Sequence, residues 1–376
     1  MSSAFLILED GSLFEGQAVG AEGYSIGEVV FTTGMTGYVE TLTDPSYFGQ
    51  IVTQTFPLIG NYGVQPEDFE SKKSWVRGYI VREMCDKPSN FRCQGSLDSF
   101  LKEQRIVGIC GIDTRALTKK LRAFGVMNGM IVSGKCPEIT PELLSEIKSY
   151  RITDAVKNVS SERQSALQDV HKPAEKKVFL LDFGAKANIQ RELEKRGCHV
   201  TVLPYNTKAE EIISLSPDGL MLSNGPGDPA ENVNIIEEIR KICDWNKNLP
   251  AGKKHIPIFG ICLGHQMLAL ARGAKTSKLK YGHRGGNHPC KDVKSGRVYI
   301  TSQNHGYAVE NASLPPYAKM SFFNVNDGTV EGLEYTDIPA FSVQFHPEAC
   351  GGPHDTNFLF DKFISMISGE VGNAIK

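Results

Sequence analysis

Cys262 is the residue of this sequence best placed to act as a nucleophile. It stands between Gly260 and Gly264, where the apolar run Ile256-Pro257-Ile258-Phe259-Gly260-Ile261 gives way to a helical pattern from Leu263 to Arg272. The text reads Gly-x-Cys-x-Gly, the thiol counterpart of the Gly-x-Ser-x-Gly elbow that lifts a nucleophile onto a sharp strand-to-helix turn. The glycines allow that turn and let strand and helix approach without Cβ clashes. At the first turn of a helix, unpaired N–H groups and the positive end of the dipole favour a thiolate. The N–H of Leu263 can also face a developing oxyanion. Taken alone, the same text suits a small buried apolar cysteine equally well.

A base for that thiol is available in His346-Pro347-Glu348, which follows the strand pattern of residues 341–345. Proline pushes His346 toward an extended conformation, and residues two apart in an extended segment point the same way. The Glu348 carboxylate can then orient the imidazole, which accepts the thiol proton and later delivers it to a leaving amine. A third stretch, Ser223-Asn224-Gly225-Pro226-Gly227-Asp228-Pro229, presents N–H groups through its glycines and is stiffened by its prolines. Read singly, these two are a strand-end patch and a rigid turn. His283, His288 and Cys290 invite a metal, but their spacing matches no template strongly, so no metal is expected.

The elements that must position these residues alternate. Strands are expected at 177–182, 199–203 and 219–222, helices at 187–196, 208–215 and 233–245, and a closing helix at 358–367. Strand alternating with helix implies right-handed crossovers and a mainly parallel sheet, with functional residues just past the carboxyl ends of the strands. Residues 273–335 lose helical periodicity and read as an insertion or a β-rich flank. The expected fold is α/β, an open mainly parallel sheet with flanking helices, preceded by a β-rich α+β domain. The boundaries predicted are 1–155, a polar linker at 156–176, and 177–376. Within the first domain, residues 33–63 concentrate glycine, threonine, proline and aromatics, a composition suited to recognition loops more than to packing. Ser46 there is by default a turn residue.

At 376 residues the chain exceeds the usual single-core size. Its 41 basic and 43 acidic residues leave a net charge of −2, which argues against a nucleic-acid or anionic-membrane surface. An odd number of cysteines, nine, with no Cys-x-x-Cys pair and no basic-then-apolar leader, leads us to expect a reducing cytoplasm. No apolar run approaches the roughly 20 residues of a membrane span. The phosphate loop Gly-x-x-x-x-Gly-Lys-Ser/Thr is missing, so ATP chemistry through that motif is not expected of this chain.

Joined, the motifs resemble a known family. Asn224-Gly225-Pro226-Gly227-Asp228-Pro229, Gly260-Ile261-Cys262-Leu263-Gly264-His265-Gln266 and Phe345-His346-Pro347-Glu348 look like a class I glutamine amidotransferase domain. Gly34-Met35-Thr36-Gly37-Tyr38, Leu42-Thr43-Asp44-Pro45-Ser46-Tyr47 and Gly111-Ile112-Asp113-Thr114-Arg115 resemble the small, glutamine-hydrolysing subunits of carbamoyl phosphate synthetases. The resemblance implies a triad of Cys262, His346 and Glu348 working through a thioester, with oxyanion donors at Gly227 and Leu263. It implies L-glutamine held by Ser46, Gly225, Gly227, Leu263, Gln266, Asn304, Gly306 and Tyr307, the last standing where the family more often has phenylalanine. It further implies a partner, the large synthetase subunit, in a heterodimer or higher oligomer. That subunit would bind ATP and Mg and use bicarbonate, and no cofactor is expected on this chain. The carbamoyl phosphate would feed arginine or pyrimidine synthesis. Two other classes remain possible from the residues themselves: a cysteine peptidase or esterase on a similar elbow, and a non-catalytic regulatory subunit, against which the presence of all three triad residues argues.

Overall fold

The computed structural model describes residues 2–162, 176–250 and 252–369, in two compact units, Met1–Ala155 and Val156–Lys376. In the first unit the chain runs β1 (Ser3–Leu8), β2 (Leu13–Gly20), β3 (Tyr24–Thr32), α1 (Tyr38–Thr43), β4 (Gln50–Gln54), β5 (Leu58–Ile59), β6 (Gly78–Ile80), β7 (Glu83–Met84), α2 (Leu97–Glu103), β8 (Val107–Cys110), α3 (Thr114–Phe124), β9 (Met127–Ser133) and α4 (Pro141–Ser149). Seven of these strands close a barrel in the order β1-β2-β8-β6-β4-β3-β9, while β5 and β7 pair separately. Closure leaves the barrel without a free edge.

Residues 33–63 pack more closely than their composition suggests. Tyr38, Val39, Leu42 and Tyr47 are buried in the apolar cluster of this unit. Tyr38 stacks on Tyr62 at 4.1 Å and its hydroxyl donates to the Gly63 carbonyl at 2.7 Å. Aromatic rings carry more buried area than the neighbouring glycines suggest, and packing prevailed. Ser46 sits in a short 3-10 turn, Pro45–Tyr47, capped by Asp44, whose carboxylate accepts from the Ser46 N–H at 2.9 Å.

The second unit begins earlier than the predicted linker allows. Helix α5 (Ala155–Val159) buries Val156 within the core of this unit, and the Ser161 N–H donates to Asp182 Oδ2 at 2.8 Å. Two β-branched residues on one helical face outweighed the polar composition around them. Residues 163–175 of the predicted linker lie outside the described residues. The chain continues through β10 (Lys176–Asp182), α6 (Ala187–Lys195), β11 (Cys198–Pro204), α7 (Ala209–Ser214), β12 (Gly219–Leu222), α8 (Val233–Lys247), β13 (Ile258–Ile261), α9 (Leu263–Ala271), β14 (Thr276–Asp292), β15 (Val298–Val309), β16 (Ala318–Asn324), β17 (Val330–Tyr335), β18 (Ala340–Val343) and α10 (Phe358–Ile367).

Among the described residues its strands form one nine-stranded sheet, β11-β10-β12-β13-β18-β17-β16-β14-β15. The first five are parallel. From β18 onward the pairing is antiparallel, so residues 273–335 continue the sheet. Strand β10 shows why the parallel part is a near-continuous apolar run: Phe179 and Leu181 enter one core cluster, Val178 and Leu180 the other, one on each face. Among the described residues no helix is long and apolar enough to cross a membrane.

Candidate active site

Cys262 occupies the junction of β13 and α9 with φ 52° and ψ −103°, a conformation that non-glycine residues rarely adopt. Its neighbours are glycines because nothing larger fits. A Cβ on Gly260 would stand 2.9 Å from the Gly264 backbone, and one on Gly264 would stand 2.3 Å from the Leu222 carbonyl oxygen. The helix is thereby pressed against the ends of two strands. Gly264 N–H donates to the Ser223 carbonyl at 3.0 Å, which ties the elbow to the Gly-Pro-Gly loop after β12. In that loop a Cβ on Gly225 would stand 2.2 Å from the Phe183 carbonyl, and Gly227 has φ 90°. The N–H of Leu263, at the first position of α9, has no acceptor within the helix.

The histidine expected to act as base arrives from the neighbouring strand. Cys262 N–H donates to the Val343 carbonyl at 2.9 Å, continuing the parallel pairing of β13 with β18, and His346 follows three residues later. His346 Nδ1 lies 2.7 Å from Glu348 Oε1, with both side chains buried. A carboxylate only accepts, so Nδ1 carries the proton of a neutral ring and Nε2 keeps its lone pair. That nitrogen is buried and makes no hydrogen bond. The pair is therefore set to take a proton at Nε2.

Glu348 has a second partner, Lys186, whose Nζ lies 3.1 Å from Oε1 with only a tenth of its side chain exposed. Burial alone would push the carboxyl up. The Lys186 ammonium, the His346 ring and the hydrogen bonds overcome it and hold the carboxyl down at about 2. Asn188 donates to the Glu348 carbonyl. Asn357 ties the Pro347 carbonyl, at 3.3 Å, to Glu192 at 3.0 Å. The His346–Glu348 segment is thus braced from α6 and from the start of α10.

Of the remaining residues predicted for the site, Gln266 donates to the Tyr307 carbonyl at 2.7 Å and to Gln344 Oε1 at 2.9 Å. The Asn304 carbonyl lies 3.7 Å from Cys262 Sγ, and Gly306 lies between Asn304 and Tyr307 on β15. Gly225, Gly227, Leu263, Gln266, Asn304, Gly306 and Tyr307 all fall in the unit that holds Cys262, His346 and Glu348; Ser46 belongs to the other unit. His265, next to Gln266, is a structural residue. It bonds Ser342 Oγ at 2.8 Å, and burial pushes its imidazole down to about 3, so it stays neutral.

Sequence reasoning missed two residues. Gln344 is fully buried, and its Nε2 lies 3.6 Å from Cys262 Sγ. Strand alternation could have found it, since Ser342, Gln344 and His346 share a face while Val343 and Phe345 enter the apolar core. Lys186 carried no local signal, being one lysine at the start of a helix 162 residues before its partner.

The comparisons with known proteins bear on this geometry. The model of the carbamoyl-phosphate synthase small chain, CPSase domain, matches residues 6–131, and that of the class-I glutamine amidotransferase matches residues 179–366. The chain is 52% identical over 373 residues to the carbamoyl phosphate synthase small chain of Listeria monocytogenes serotype 4b, covering 98% of each. It is 52% identical over 361 residues to that of Clostridium perfringens, covering 96% of this chain and 98% of the other. With that of Bacillus cereus strain ZK the figure is 53% over 365 residues, 96% and 95%. Among solved structures, a glutamine amidotransferase from Thermotoga maritima aligns at 20% identity with a TM-score of 0.37, over 54% of this chain and 86% of the other. With near full-length identity above half, and with both domain models matched in order, this chain belongs to the family of carbamoyl phosphate synthase small chains and carries a class I glutamine amidotransferase domain.

Proposed function

We propose that this chain is the glutaminase subunit of a carbamoyl phosphate synthetase and hydrolyses L-glutamine through a thioester on Cys262. The observation that carries the reading is the buried His346–Glu348 pair, with its Nε2 lone pair on the strand beside the strained thiol. His346 Nε2 takes the thiol proton, and the thiolate attacks the carboxamide carbon of glutamine. The carbonyl electrons move to oxygen, which the N–H groups of Gly227 and Leu263 stabilise. As the tetrahedral adduct collapses, His346 returns its proton to the leaving nitrogen, ammonia departs and the acyl-cysteine remains. Water, deprotonated by the same nitrogen, then attacks the thioester. The second adduct releases glutamate and restores the thiol.

Ser46, Gly225, Gly227, Leu263, Gln266, Asn304, Gly306 and Tyr307 hold the glutamine in this reading, and Gln344 holds Gln266 beside the thiol. Ammonia that escapes into water is protonated and lost as a nucleophile. A chain that lacks the phosphate-loop motif therefore needs a partner, and in this reading that partner is the large subunit, which binds ATP and Mg and forms carbamoyl phosphate from bicarbonate. The complex is assigned to the cytoplasm.

Replacing Cys262 with serine in the complex should abolish glutamine-dependent synthesis while synthesis from added ammonia continues; glutamine hydrolysis retained by that variant would overturn the assignment. An electrophilic glutamine analogue should label Cys262 selectively. Because docking of a partner commonly completes such sites, the isolated chain should turn over more slowly than the complex.

A further inference from the structure

A second group of titratable side chains lies apart from the thiol. His283, His305 and Glu331 each bring one ligand atom within 4.8 Å of the others, and all three residues are buried. Two register shifts in the β14–β15 ladder flank His283, Arg284 and Gly285, and such bulges re-aim side chains. His283 and His305 are direct cross-strand partners with rings 4.9 Å apart at 89°. Glu331 joins them from β17, too far along the sequence to be seen as an acidic companion of His283.

The hydrogen bonds around this group leave it short of a positive charge. His283 Nε2 lies 2.8 Å from Asp327 Oδ2, which only accepts, so a neutral His283 ring bears its proton there and a bare lone pair at Nδ1. His305 Nδ1 lies 2.7 Å from the Tyr307 carbonyl, so its Nε2 is bare by the same reasoning. Gln303 Nε2 donates to Glu331 Oε2 at 3.0 Å, which turns the Gln303 carboxamide oxygen toward His305 Nε2 at 3.1 Å. Four acceptors therefore converge, and no proton stands between them while the rings are neutral.

His283 Nδ1 makes no hydrogen bond although nine-tenths of its side chain is buried.

The spacing suits a metal. His283 Nδ1 and His305 Nε2 lie 3.5 and 3.9 Å from Glu331 Oε1. Ligands at the usual zinc distances of about 2.0–2.1 Å, set tetrahedrally, stand about 3.3–3.4 Å apart. Asp327 on the far nitrogen of His283 is the carboxylate–histidine–metal arrangement that fixes a ligating ring, and the Tyr307 carbonyl does the same for His305.

We propose that His283, His305 and Glu331 form a structural zinc site, with the Gln303 carboxamide oxygen at the fourth corner. The ion staples the β14–β15 hairpin to β17. Through His305 it fixes the segment of β15 that carries Asn304 and Tyr307.

The test uses the full-length chain, stripped with a chelator, equilibrated with zinc alone and freed of loose metal by gel filtration. One zinc per chain is expected by mass spectrometry, with a thermal midpoint several degrees above that of the stripped protein. Zinc K-edge absorption should show a nitrogen and oxygen shell with imidazole scattering. A sulfur shell at about 2.3 Å would place the metal on one of the nine thiols and overturn the site. His283→Gln and Glu331→Gln should each lose the zinc. Asp327→Asn, at a half-exposed position, should keep its fold and weaken binding by about 10–100-fold. Failure of the unaltered chain to retain zinc overturns the proposal whatever the variants do, and leaves a single proton shared by His283 and Glu331 as the occupant.

Discussion

Two histidine–glutamate pairs lie in the same unit, each with a fully buried carboxylate, and their surroundings drive them apart. At His346 and Glu348 the contact is 2.7 Å, and Lys186 stands 3.1 Å from the carboxylate, whose pKa falls to about 2. At His283 and Glu331 the nearest oxygen is 3.5 Å away. No ammonium joins the pair there among the described residues, Asp327 adds a second negative charge, and burial pushes the Glu331 carboxyl up. Residue types are shared and burial is equal, so the third charge decides. One carboxylate is held ionised beside the ring proposed as the base, and the other is left without a cation among the described residues.

The largest effect should come from removing the base. His346→Asn should lower glutamine-dependent turnover of the complex by about 10³-fold or more while sparing synthesis from ammonia, measured as carbamoyl phosphate formed with each nitrogen source. Retention of most activity would place the proton acceptor elsewhere.

Next, Lys186→Met should make the first pair resemble the second. Removing one partner of a buried pair costs about 3–5 kcal/mol, readable as a lower denaturant midpoint. It should also erase an acid dependence. In the unaltered chain the folded carboxyl, at about 2, lies below its ordinary value of 4.5. The resulting stability, about 3 kcal/mol, is fully present above pH 4.5 and is lost as pH falls toward 2. Urea titrations at several acidic pH values should show this loss in the native sequence and much less of it in the variant.

The smallest effect should belong to Glu331→Gln in chelator-treated protein. A raised carboxyl costs stability while ionised, and the cost disappears as pH falls through its folded value. Loss of the His283 contact offsets the gain from removing that charge, so the variant should lie within about 1 kcal/mol of the native chain near neutral pH. Glu348→Gln should cost several times more. Equal losses at the two sites would refute the role given to Lys186.

How much of this was legible in the sequence follows from distance along the chain. The elbow at Cys262 and the His346–Glu348 pair are local patterns, because backbone geometry alone puts i and i+2 on one face. The alternation of strands and helices after residue 176 read correctly for the same reason. Lys186, Gln303 and Glu331 reach their partners only through the curl of the sheet, and nothing beside them announces it. Residues 33–63 misled in another way: their glycines suggested loops, while Tyr38 and Leu42 supplied buried area enough to pack them into an apolar cluster of the first unit. The polar text after Ala155 hid a helix whose Val156 belongs to the second core.

The parallel pairing of β13 with β18 sets an order of events during synthesis. Strands β10, β12 and β13 with their helices leave the ribosome as a consecutive block, and Cys262 emerges with them. Its base must wait for β14 to β17 to be made, since only β18 brings His346 alongside. Contacts of such long sequence separation form late. On the proposed mechanism, a nascent or half-folded chain therefore carries a thiol without its base, and the two meet only when the sheet closes.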